Sequence, residues 1–207
     1  MLPDLTKKDI NVESIAKQAL NNKEILSALL DGISSKQDTV RHNSYKIVLL
    51  VSEQNPEMLY TEWDFFVERL DSDNTYSRYE SVFILANLVK IDKERRFEKI
   101  FDKYFRLLND KSVIVAASLA AVAGKIAKAK PALQPQITNL LLNLEKLVHR
   151  HKDLIKGGAI ESFSQYIAET EDKEAMIDFV KNQLNCESPK TRDLAREFLA
   201  KWKKSDS

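Results

Sequence analysis

Cysteine occurs once in the 207-residue chain, at Cys186, which excludes an internal disulfide and any zinc centre built from several thiolates. Taken plainly, Cys186 is a small residue in a loop. Glycine occurs four times and proline five, and nowhere do alternating apolar residues stand between turn-forming clusters. Strands are therefore not expected, and the class is all-α. Excess charge is missing as well. With 32 Lys and Arg against 31 Asp and Glu, no whole-molecule field draws in phosphate backbones or anionic lipid, which argues against nucleic acid and membranes as partners. The longest apolar run, Val113 to Gly124, falls well short of the roughly 20 residues that span a bilayer. The opening "MLPDLTKKDI" holds no apolar stretch that could act as a signal sequence. A soluble, cytoplasmic protein is expected.

What the chain does have is an ordinary apolar fraction, 43%, and a period. Arg41, Arg78, Val115, Lys156 and Arg192 serve as reference positions, separated by 37, 37, 41 and 36 residues. Seven residues after each comes an apolar side chain: Val48, Leu85, Val122, Phe163 and Leu199. Three residues after each comes a small one: Ser44, Ser81, Ser118, Ala159 and Ala195. Eight before lie Ile33, Leu70, Leu107, Val148 and Leu184, and fifteen before lie Leu26, Trp63, Ile100, Leu141 and Ile177. Within each unit these offsets follow a helical period, so each unit predicts two amphipathic helices, A and B, joined by a short polar turn. The small residue in B would let a neighbouring helix approach closely.

The turns carry helix-start chemistry. "LDSDNTYSR" from Leu70, "LNDKSVIV" from Leu108 and "LNCESPKTR" from Leu184 each place Asp, Asn or Ser before helix B, where a side-chain oxygen can accept a free backbone N–H. Pro56 and Pro131 stand where one helix must stop and the next begin. The 41-residue interval is ascribed to an extended connection at "KAKPALQPQ", residues 128–136. Asn11 to Leu20 predicts a short capping helix. The expected organisation is a single domain over 1–207, with a cap at 1–21 and repeats at about 22–55, 56–91, 92–130, 131–170 and 171–204.

This pattern resembles the HEAT-repeat family, and less closely its armadillo relatives, over residues 22–204. The resemblance is carried by "DTVRHNSYKIVLLV", where Asp38, Val40 and Arg41 enter helix B, and by "SPKTRDLAREFL" around Arg192. The third unit departs from it with Val115, and the fourth with Lys156 followed by Gly157 and Gly158. The resemblance implies a right-handed α-α superhelix of about five helix pairs with B helices on the concave side, each pair depending on its neighbours for burial.

Candidate chemistry is sparse, and no catalytic residue, metal ligand set or cofactor is assigned. His149 and His151 are two apart, which points them in different directions on a helix, and Arg150 and Lys152 beside them would repel a cation. His42 stands alone. Iron-binding HEAT-repeat enzymes use His-Glu pairs, and the residues following His42, His149 and His151 here are Asn, Arg and Lys. "DSDN", residues 71–74, lacks the glycine and terminal glutamate of a calcium loop. "HRHKDLIKGG", residues 149–158, combines a basic stretch with a helix start, where an anion could sit, although its glycines suit close packing. Trp63, Trp202 and the stripe Phe97, Ile100, Phe101, Tyr104 and Leu108 fall at core positions.

Two functions remain. The first is a non-enzymatic scaffold that binds a protein or peptide on the concave face, with no small-molecule substrate. The alternative is a nucleic-acid-binding protein of the HEAT-like alkylpurine DNA glycosylase type, in which Arg41, Arg78, Lys156 and Arg192 would form a basic ladder; the competing role for those arginines is to brace adjacent turns. The candidate groove is centred on Tyr79, Phe83, Ala116 and Ala120, with Arg41 and Arg78 beside it. It is drawn from the helix "VIVAASLAAVAGKIAKAKP", in which Ile114, Ser118, Ala121 and Val122 take core positions. That leaves Ala116, Ala120 and Ala123 on the side where a soluble helix normally carries charge.

Overall fold

Apolar residues at helical spacing, interrupted by Asn, Ser and Pro, produce helices throughout. The computed structural model describes residues 2–205, the last three by their backbone. All regular structure among the described residues is helical: twelve α-helices, several of them closed by a 3₁₀ turn. The chain divides into two compact units, Met1–Glu94 and Arg95–Ser207.

The first unit holds the cap and two helix pairs. Helix α1 (Val12–Asn21) starts at Asn11, whose side chain accepts the Ser14 N–H at 2.8 Å, and α2 (Lys23–Ile33) starts at Asn22, which accepts from Glu24 and Ile25. Helix α3 (Asp38–Gln54) completes the first pair. Pro56 opens α4 (Glu57–Tyr60), and α5 (Trp63–Arg69) and α6 (Thr75–Leu88) make the second pair, with Asn74 capping α6 by accepting the Tyr76 N–H at 2.8 Å. Helices α3 and α6 run parallel and in register. Tyr45 meets Tyr79 ring to ring at 5.8 Å, and two turns on the Asn87 amide donates to the Ser52 hydroxyl at 2.9 Å. These partners lie 34 and 35 residues apart in sequence. Ile33, Val48, Trp63, Leu70 and Leu85, all at repeat offsets, are buried.

The second unit holds three pairs: α7 (Arg96–Phe105) with α8 (Val113–Ala129), α9 (Gln134–Leu142) with α10 (Lys152–Tyr166), and α11 (Lys173–Asn182) with α12 (Pro189–Ser205). The predicted stripe on α7 is core, with Phe97, Phe101, Tyr104 and Leu108 buried and only Ile100 partly exposed. Trp202 is half-buried, with the Lys173 ammonium 5.8 Å from its ring centroid.

The long interval lies elsewhere than the sequence implied. Pro131–Leu133 forms a 3₁₀ turn leading directly into α9, so "KAKPALQPQ" is helix entry and not an extended connection. The turn closing α9 buries Leu144 as the turn closing α7 buries Leu107; those two are 37 residues apart, the ordinary period. The extra residues are in the loop from Leu147 to His151, where Val148 is 99% exposed. Its apolar character had made Val148 look like the core equivalent of Leu107.

Candidate functional site

The four basic reference residues are engaged within their own turns. Arg41 Nη1 donates to the Ser35 carbonyl at 3.3 Å, Arg78 Nη1 to the Ser72 carbonyl at 2.6 Å, and Arg192 Nη1 to the Cys186 carbonyl at 2.7 Å. In each case the acceptor lies six residues before the arginine. The Ser35 and Ser72 side chains also accept the N–H two residues on, from Gln37 and Asn74, so one residue turns the chain with its hydroxyl while its carbonyl receives the guanidinium. The signal for this was present in the sequence as a serine six places before an arginine, twice. In the third unit Asp110 accepts the Ser112 N–H at 2.8 Å, and Val115 leaves the turn without an arginine. Lys156 reaches Glu145 at 2.8 Å instead, and Gln183 donates to the other oxygen of that carboxylate at 2.6 Å.

A second brace ties the two pairs of the first unit. Arg69, at the end of α5, donates to Glu80 Oε2 at 2.8 Å, to the Ser34 hydroxyl at 3.1 Å and to the Ile33 carbonyl at 3.4 Å. Glu80 is buried on α6. Burial pushes its carboxyl up to about 7, against the opposing pull of Arg69.

The expected groove does not extend to α8. Ala116 and Ala120 are fully buried, and so is Ala123. The stripe with residual exposure is instead Ile114, Ala117, Ser118 and Ala121, continuing into Lys125 and Lys128. The faces assigned from the sequence are thus reversed, with Val122 alone of the expected core residues buried. The cause lies on α10. A Cβ on Gly158 would stand 2.5 Å from the Ala117 carbonyl oxygen and 3.0 Å from the Ala120 Cβ, so glycine lets α10 lie directly on the alanine side of α8. Arg78 is buried too, so neither it nor the two alanines offers surface to a partner.

In the first unit the expected groove keeps an exposed aromatic face beside Arg41. Tyr76 is 56% exposed, and the Arg41 guanidinium lies over its ring at 4.7 Å. Tyr79 and Phe83 are half-buried, edge to face at 5.1 Å, and Tyr79 leans in turn on buried Tyr45, whose hydroxyl burial holds well above its ordinary pKa. Arg41 is fixed from the other side by Asp38 at 2.6 Å. Along α3, His42 and Lys46 are exposed. His42 is kept below its ordinary pKa by partial burial and then by the positive charges of Lys46 and Arg41.

The second unit has a cleft of about 730 Å³ where α10 and α12 start, lined among others by Arg150, Lys152, Asp153, Cys186 and Glu187. Charges of both signs meet there, and the Asp153 carboxylate accepts the Glu187 backbone N–H at 2.8 Å. The basic stretch before it folds on itself, His149 Nδ1 accepting the His151 N–H at 3.0 Å. Among the described residues no group of three or more His, Cys, Asp or Glu is placed to hold a metal ion, and no helix is long and apolar enough to cross a membrane.

No protein-family model matches the chain, and no curated protein matches it. Solved structures do. An engineered protein from the Northeast Structural Genomics Consortium matches with a TM-score of 0.61 and 16% identity over 92% of this chain and 85% of its own. A designed armadillo repeat protein matches with a TM-score of 0.54 and 16% identity over 95% of each chain. Another, in complex with the peptide (KR)4, matches with a TM-score of 0.55 and 15% identity over 91% of this chain and 89% of its own. The fold is an all-α repeat solenoid of the armadillo/HEAT-like kind.

Proposed function

We propose that the protein is a non-enzymatic scaffold of the cytoplasm, a single array of five helix pairs behind a capping helix, which binds a peptide or protein surface through α3 and α6. The observation that carries this is Tyr76, largely exposed yet held under Arg41, in one row with Tyr79 and Phe83. An aromatic ring fixed before binding gives contact area at little further entropic cost, which is how a few residues come to dominate an interface. The designed armadillo neighbour that holds the peptide (KR)4 supports a peptide as the occupant of such a fold. The nucleic-acid alternative is weakened by the engagement of Arg41, Arg78, Lys156 and Arg192 with carbonyls and a carboxylate of their own turns. Selection of peptides from a random displayed library tests the role. Selected sequences should lose binding to the Tyr76→Ala/Phe83→Ala double variant and keep it with Leu154→Ala, a change in an exposed side chain of the second unit. Selected peptides indifferent to the double variant would overturn it.

A further inference from the structure

Asn43 stands two residues after Arg41, as Glu80 stands two after Arg78 and Gly158 two after Lys156. At that offset a B helix turns toward the pair before it: Gly158 lies against the Ala117 carbonyl of α8, and Glu80 is tied through Arg69 to Ile33 and Ser34 at the end of α2. On α3 an irregular segment takes this place. The Asn43 amide, 3% exposed, donates to the Leu5 carbonyl at 2.9 Å and to the Lys7 carbonyl at 2.8 Å.

Residues 2–10 are otherwise lightly held. The Asp4 carboxylate accepts the Thr6 N–H at 3.1 Å and the Thr6 hydroxyl at 2.6 Å, bonds internal to the segment. Leu2, Asp4 and the four residues from Thr6 to Asp9 are exposed, while Pro3, Leu5 and Ile10 are half-buried, with the Leu5 side chain beside Gly32. Among the described residues, the hydrogen bonds from this segment to the rest of the chain both come from Asn43. On release, the amide and the two carbonyls exchange these bonds for bonds to water, so the net cost of opening is small compared with unfolding a helix pair.

We propose that residues 2–10 form a strap over the side of α3 on which α6 and α10 meet the preceding pair, and that the strap opens and closes as a unit with Asn43 as its catch. The closed strap is an intramolecular cover, docked where the register otherwise places part of a helix pair. Recognition runs through backbone carbonyls and one leucine, so the contact holds the segment in place without building it into the core. The helix pair beneath stays folded when the strap lifts, because α1 and α2 supply its apolar burial through Ile15, Ala16, Ala19, Ile25 and Leu29.

The experiment is limited trypsin digestion of the full chain, read by mass spectrometry. Cleavage between Lys7 and Lys8 requires the Lys7 carbonyl to enter the oxyanion hole of the protease, and that oxygen is one of the two Asn43 acceptors. The parent should therefore be cut at this bond at least about tenfold more slowly than the free peptide of residues 2–15. Asn43→Ala should remove most of that protection while melting within a few degrees of the parent. Asn43→Asp, whose carboxylate would face two carbonyls, should do the same. Cleavage of the parent at the rate of the free peptide would mean that the strap is not closed in solution. Undiminished protection in both variants would take the catch from Asn43, and variants that melt far below the parent or fail to fold would make Asn43 part of the core of the pair. Each of these three results overturns the strap.

Discussion

The Ser162 hydroxyl accepts the Gly124 N–H at 2.7 Å and donates to the Ala120 carbonyl at 2.5 Å. Gly124 and Ala120 are the two ends of one i→i−4 step of α8, so a side chain of α10 enters the backbone ladder of its neighbour. Such an approach requires small residues on both sides, and both helices have them. A Cβ on Gly124 would lie 2.6 Å from the Ser162 carbonyl oxygen, and one on Gly158 would lie 2.5 Å from that of Ala117. Helix α8 is apolar on nearly every face because α10 covers the side where charge would otherwise stand.

Gly158→Ala should therefore cost about 1–3 kcal/mol, as overpacking against backbone does. Gly157→Ala is the internal comparison. Its Cβ would meet the Thr191 hydroxyl at 2.7 Å, a side chain and not a backbone, so the contact can be relieved by rotating Thr191 at the cost of its bond to the Asp153 carbonyl. Denaturant titration of both variants should give the lower midpoint to Gly158→Ala, and equal midpoints would contradict the close helix approach.

The repeat was legible because it rests on several offsets at once, and burial of Val48, Leu85, Val122 and Phe163 follows the frame. The face of α8 was not legible. Periodicity assigns a buried side by contrast with a polar one, and from Val113 to Gly124 that contrast is missing, so the choice between Ala116 and Ala117 depended on the distant Gly158. Val148 misled for a related reason: an exposed apolar residue in a loop matches a core position when only its type is known. Of the face proposed on α3 and α6, Tyr79, Phe83 and Arg41 are among the candidates read from the sequence. Tyr76 was missed because it stands outside the offsets used, two residues before Arg78.

The arginine braces predict a graded series. Arg78 is buried and its bond to the Ser72 carbonyl is 2.6 Å, so Arg78→Ala should cost about 1.5–3 kcal/mol, the range for a hydrogen bond to a charged group. Arg78→Lys should recover little of this, because an ammonium lacks the planar fork. Arg192→Ala should cost less than Arg78→Ala, since Arg192 is only partly buried. Thermal and denaturant midpoints decide the order. A Lys variant as stable as the parent would remove the geometric role.

Glu80 makes stability depend on pH in an unusual direction. Its carboxyl is raised by burial from the ordinary 4.5 to about 7 in the folded chain. The folded state thus holds the proton more tightly than the unfolded one, and the Glu80 contribution is full below about pH 4.5 and lost as pH rises through about 7. The loss is on the order of 3 kcal/mol. Glu80→Gln cannot ionise and should flatten this part of the profile between pH 5 and 8. An identical slope in the variant and the parent would show that Arg69 holds the carboxylate ionised throughout.

Ala120→Arg is the most direct test of which face of α8 is covered. Were the alanine side an open groove, a long charged side chain there would project into solvent and melting would barely change. Ala120 is fully buried, its carbonyl accepts from Ser162, and its Cβ is one of the atoms nearest to Gly158. An arginine there has neither room nor a partner for its charge, and both costs apply together. The expected loss exceeds about 4 kcal/mol, a large part of the roughly 5–15 kcal/mol by which a folded domain is ordinarily stable. Ile114→Arg, at a residue that is itself 52% exposed, should shift stability by no more than about 0.5 kcal/mol. Circular dichroism melts of the two variants should differ by many degrees, and a cooperative, parent-like melt for Ala120→Arg would return the groove to α8.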